Sequence, residues 1–123
     1  MSALKTVLIS GIILVILDAI YLSAFKEMFG LQIAEVQRVA MQFNLVSAIL
    51  TYILLISGLY YFILKTRRPV EDAFILGVVI YGVYEFTNYS IFKKWKWSTV
   101  AIDTLWGGIA FALTTHITYS LIR

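Results

Sequence analysis

The chain has 123 residues, of which 61% are hydrophobic and 14% charged, against roughly 25% charged in ordinary soluble domains. A soluble domain this small is mostly surface and cannot hide that much apolar area, so the composition excludes a soluble globule and points to an integral, multi-pass membrane protein. The net charge of +3 sits in basic residues at the ends of apolar runs, which is membrane placement and not a nucleic-acid footprint, and the lack of cysteine excludes disulfides and thiolate sites.

Four apolar runs, at about 3–25, 44–64, 73–92 and 98–122, are each near the ~20 helical residues that cross ~30 Å of hydrocarbon. They are continuous rather than alternating, which favours helices over barrel strands. The expected fold is therefore all-α: one transmembrane domain over residues 1–123, an up-and-down bundle of four helices with both termini on the same side. The first run has Lys5 ahead of an apolar core, as a signal peptide would. Asp18 interrupts it, however, and no small-residue cleavage site follows, so it is read as a mature span.

The connection 26–43 mixes Met28, Leu31, Ile33, Val36, Val39 and Met41 with Glu35, Gln37, Arg38 and Gln42. This pattern predicts a short interfacial helix at about 28–42 leading into the second span, or a helical extension of that span above the headgroups. Pro69, the only proline, marks where the third span begins. Lys93, Lys94 and Lys96 alternate with Trp95 and Trp97 in an interfacial connection, either as ordinary anchors or as an attraction for anionic headgroups. Lys5, Lys65, Arg67, Arg68 and Arg123 lie on one side and Lys26, Arg38, Lys93, Lys94 and Lys96 on the other. That tie leaves the orientation undetermined.

Asp18, Glu85 and Asp103 interrupt the first, third and fourth spans near ends that face one side. At 1.5 Å per residue they lie about 7–10 Å deep. A carboxylate facing lipid costs roughly 2.5–3.5 kcal/mol on insertion scales, so such groups face the bundle interior and are functional candidates. Their helical faces add Tyr21, Tyr81, Tyr84, Asn88 and Trp106, while Asn44, Ser47 and Thr51 come from the second span. The sum is a polar pocket open toward one membrane face and walled by aromatic rings. Three carboxylates there cannot all stay ionised, so at least one holds a proton.

Three segments together resemble the domain-of-unknown-function family 2177, a family of small predicted membrane proteins. Span one has Asp18-Ala-Ile-Tyr21-Leu22, span three has Tyr81-Gly-Val-Tyr84-Glu85-Phe86-Thr87-Asn88, and span four has Trp95 followed by Asp103-Thr-Leu-Trp106-Gly107. Glu85 stands where the family usually shows Asp, which keeps the charge but not a tight metal geometry. The resemblance implies a four-helix membrane protein with these polar positions in common, and it implies no activity.

The leading expectation is a protein that binds or transports a proton, a cation or a small polar ligand through Asp18, Glu85 and Asp103, oriented by Tyr84, Asn88 and Trp106. A rival is an acid–base enzyme acting on a lipid or isoprenoid. A third is a structural or assembly protein whose carboxyls bond helices together. The lone His116 lies about 20 Å from Asp103 along the helix, which excludes a histidine-rich metal site, and no metal or cofactor is expected. The glycines form no phosphate-binding loop or nucleophile elbow. The expected partners are the bilayer, a proton, cation or lipid-like ligand, and further copies of the chain in a small oligomer.

Overall fold

The computed structural model describes residues 2–37 and 44–122, the side chains of 35–37 excepted. It is an all-helical, up-and-down arrangement of α1 (Ala3–Gln37), α2 (Leu45–Leu59), α3 (Val70–Ile91) and α4 (Trp97–Leu121). A single π-helical turn, Tyr60–Leu64, extends α2. Three helices are long and apolar enough to cross a membrane: α1, α2 with its π turn, and α4. The fourth, α3, carries Glu71, Asp72 and Glu85. It packs most closely against α4, so protein rather than lipid shelters its polar positions.

The α3–α4 seam is a close backbone approach. Gly77 faces the Gly107 carbonyl, and Gly107 faces the Tyr81 ring, with no room for a Cβ at either position. The apolar centre consists of Leu14, Leu59, Ile63, Leu64, Ala73, Ala110 and Phe111. By contrast α2 touches mainly α1, and most of its length is exposed to the surrounding hydrocarbon. One of its few contacts is Ile56 against Gly11 of α1.

The connection after the first span differs in part from expectation. Residues 26–37 continue α1 past a local break in helical geometry at Phe25 (φ −112°, ψ 15°). A helix does run through the first part of the expected 28–42 segment, beyond the kink at Phe25; it is not an extension of the second span, which starts afresh at Asn44, and 38–43 lie outside the described residues. The reason is local. No proline follows Phe25 to stop the helix, so it propagates. At Asn44 the backbone is extended (φ −102°, ψ 104°), and its side chain accepts from the Ser47 amide at 3.0 Å, which starts α2 afresh. Likewise α3 starts at Val70, directly after Pro69, a little earlier than the apolar run. Its first-turn acids Glu71 and Asp72 suit the positive end of the helix dipole, and Asp72 pairs with Arg68 at 2.6 Å.

Candidate functional site

The antiparallel register of α1 and α4 brings the acids together. Asp18 accepts a hydrogen bond from the Trp106 indole at 3.0 Å, and Tyr21, one turn along, donates to Asp103 at 3.1 Å. Helical spacing forces the coincidence: residues three apart on each helix share a face, so two bonds of this register form together. The rings of Tyr21 and Trp106 stack between the two bonds, 4.6 Å apart and 3° from parallel. Tyr52 of α2 donates to the second oxygen of Asp18.

Glu85 projects from α3 toward Asp103 of α4, and their carboxyl groups lie within hydrogen-bonding reach of each other. Glu85 is fully buried, at 0% exposure. Its Oε1 accepts from the Trp95 indole at 2.9 Å, while its Oε2 meets no hydrogen-bond donor. Among the described residues the one ion pair is Arg68–Asp72, at the far end of the bundle, so no cation bridges Asp18, Glu85 or Asp103. No group of three His, Cys, Asp or Glu among the described residues is placed to hold a metal ion. The expected trio therefore resolves into a Glu85–Asp103 pair and a separately bonded Asp18, joined through the Tyr21–Trp106 stack.

The remaining expected residues divide. Asn88 is buried near Glu85, one turn along α3. Tyr81 lies edge-on to Phe111 at 6.2 Å and fills the space that Gly107 leaves. Tyr84 is 58% exposed, and its side chain meets Asn88 one turn along α3. Asn44, Ser47 and Thr51 are exposed and bond locally, Asn44 as the α2 cap and Thr51 back to the Ser47 carbonyl at 2.9 Å. On α2 the partner is instead the neighbouring Tyr52, whose hydroxyl needs a polar partner when its ring is partly buried.

Two further residues join the site, Trp95 from the span-four motif and Gln32, which no motif marks. Trp95 reads as an interfacial anchor, yet it is buried and donates to Glu85. Gln32, on the α1 arm, is 2% exposed. Its Oε1 accepts from the Lys96 amide at 2.8 Å and the Thr99 hydroxyl at 3.2 Å, and its Nε2 donates to the Lys94 carbonyl. The arm is thereby fastened to the connection that carries Trp95 over the carboxyl pair. Gln32→Leu is expected to strand the buried Thr99 hydroxyl, at about 1–3 kcal/mol, and to free the part-buried Lys96 amide and Lys94 carbonyl at less. Hydrogen exchange should accelerate at the amides of residues 96–100 and stay unchanged in α2.

Helices that bond to one another through buried carboxyls beneath apolar outer faces define a multi-pass integral membrane protein. The chain belongs to the domain-of-unknown-function family 2177, described as a predicted membrane protein, whose family model matches residues 3–120. No curated protein and no solved structure matches it.

Proposed function

We propose that the Glu85–Asp103 pair is a proton-binding site near one membrane face, and that the protein exchanges protons through it across or at the bilayer. The observation that carries this reading is the fully buried Glu85 carboxyl, with an oxygen that meets no donor and an acidic neighbour within hydrogen-bonding reach. Two ionised carboxylates at that separation in a low-dielectric interior repel strongly, and among the described residues no lysine or arginine pairs with them. A single shared proton removes the repulsion and supplies the missing donor.

The surroundings favour a proton over a larger ligand. Four of the six carboxyl oxygens accept from Tyr21, Tyr52, Trp95 and Trp106. Two grooves beside α4 are lined by apolar side chains, and none of the three carboxyls lines either. A lipid or isoprenoid in such a groove would meet the outer faces of Tyr21 and Trp106, with the acids behind the rings. Beyond the apolar centre, in the other half of the bundle, the hydroxyls of Thr114, Thr115 and Thr118 are buried without partners. By the same register they lie level with the buried Ser10 and Thr6 of α1. These hydroxyls supply a polar continuation toward the opposite face.

The test is proton flux into liposomes containing the purified protein, read with a trapped pH-sensitive dye, for the parent and Asp103→Asn. The parent is expected to carry flux, and the variant, with its fold intact by circular dichroism, should fall to the level of protein-free vesicles. Equal flux from both would remove the carboxyl pair from any proton path.

A further inference from the structure

The outer face of α4 carries a ridge with a groove on each side. Toward α3, a groove of about 260 Å³ is lined by Phe74, Val78, Phe86, Trp97, Ala101 and Leu105, among others. Toward α1, a groove of about 370 Å³ is lined by Ile20, Phe25, Ile102, Leu105, Trp106 and Ile109, among others. Leu105 borders both, so the two grooves run side by side with Leu105 as the divide. From Trp97 to Leu105 the first extends about 12 Å along α4, close to the ~15 Å of one leaflet's hydrocarbon.

The charges above the grooves set the two ends of the bundle apart. At the end near Pro69 the three basic residues of the α2–α3 connection are engaged, Arg68 with Asp72 at 2.6 Å, Arg67 over the Tyr119 ring at 4.5 Å and Lys65 over the Tyr61 ring at 5.1 Å, while Lys5 is exposed on α1. At the other end Lys93, Lys94 and Lys96 are exposed, and among the described residues none has an ion-pair or ring partner. Lys96 immediately precedes α4 and supplies no side-chain cap, so first-turn amides with their partial positive charge add to the lysines. Trp97, 57% exposed and flanked by Phe86 and Tyr89 at 5.6 and 5.8 Å, sits at the rim where aromatic rings meet headgroups.

We infer that this is a binding site for one anionic diacyl phospholipid of the surrounding bilayer. The phosphate rests on Lys93, Lys94, Lys96 and the start of α4, and one acyl chain descends on each side of Leu105. Two parallel apolar grooves under a basic, unpaired headgroup position match a two-chain anionic lipid and not a single-chain ligand.

The test uses the intrinsic tryptophans, since Trp97 lines one groove and Trp106 the other. The full chain is placed in phosphatidylcholine vesicles containing an equal low mole fraction of chain-brominated phosphatidylglycerol or chain-brominated phosphatidylcholine. The anionic lipid is expected to quench as though enriched about fivefold or more around the protein. The triple variant Lys93→Gln, Lys94→Gln, Lys96→Gln should bring the two lipids level. Ala101→Phe, which fills the groove toward α3 from an exposed position, should cut the enrichment while leaving the lysines in place. Equal quenching of the parent by both lipids overturns the site. So does an enrichment that survives Ala101→Phe unchanged, because that is headgroup attraction with no seated chain.

Discussion

Gly77→Ala is expected to destabilise the protein by about 3 kcal/mol or more, since overpacking commonly costs 1–3 kcal/mol and here the obstacle is backbone. A Cβ at Gly77 would overlap the Gly107 carbonyl oxygen and stand 2.6 Å from its carbon. No rotamer relieves that contact, so α3 and α4 must separate. Gly107→Ala is blocked by a side chain instead, since its Cβ would overlap the base of the Tyr81 ring. Gly58→Ala is the control: nothing lies within 4 Å of its Cβ position, and the change should stay within about 1 kcal/mol of the parent, in the stabilising direction by helix propensity. Reversible unfolding in mixed detergent–lipid micelles measures all three. The seam also bears on the proposed proton site, because Glu85 and Asp103 face each other across it. A separation forced at Gly77 should therefore reduce proton flux together with stability, whereas Gly58→Ala should alter neither by much.

That seam shows which parts of the molecule were legible in the sequence. The spans follow from apolar length, and the glycines at 77, 82, 107 and 108 read as packing positions. Nothing in composition says, however, that 77 meets 107 rather than another helix. The acids were legible for the same energetic reason that makes them rare: a carboxyl in hydrocarbon must turn inward. Depth counting placed them at one level, and the antiparallel bonds Asp18–Trp106 and Tyr21–Asp103 agree with that level. Helical phase was harder to judge. Tyr84 neighbours Glu85 in sequence yet points about 100° away around the helix, and it is exposed. On α2 the hydrogen bond to Asp18 comes from Tyr52 and not from the neighbouring Thr51, which bonds back to the Ser47 carbonyl. A tyrosine hydroxyl reaches further and carries a ring that can bury.

The α1 arm was legible only as two alternatives, because residues 26–37 mix apolar and charged positions in a pattern common to interfacial helices and helix extensions. Periodicity alone does not say to which neighbouring span such a segment is joined. The join is set by the start of α2 at Asn44, where the cap makes a fresh helix favourable. Gln32 then became buried only because the arm folds against the α3–α4 connection, a tertiary contact with no local signature.

Asp18→Ala is expected to loosen α2 from the rest of the bundle. Asp18 is the point where α1, α2 and α4 meet, through Tyr52 on one oxygen and Trp106 on the other. Removing the carboxyl strands both donors, each at about 1–3 kcal/mol. A bilayer reference state lets stranded groups find other partners, which brings the expected total to about 2–4 kcal/mol. The loss falls unequally. Trp106 keeps its stack on Tyr21, so α4 stays in place. Tyr52 loses the one side-chain hydrogen bond that ties α2 to the acid network, and α2 has little other packing beyond α1. Spin labels at the exposed positions Leu54 and Ile16 would report it, with a narrow distance distribution in the parent and a broad one in Asp18→Ala. Tyr52→Phe should reproduce the broadening with a smaller stability loss, because only one bond is removed and the Trp106 donor keeps its acceptor. If both variants retain the narrow distribution, α2 is held by Ile56 against Gly11 and its apolar neighbours, and Asp18 serves the carboxyl network alone.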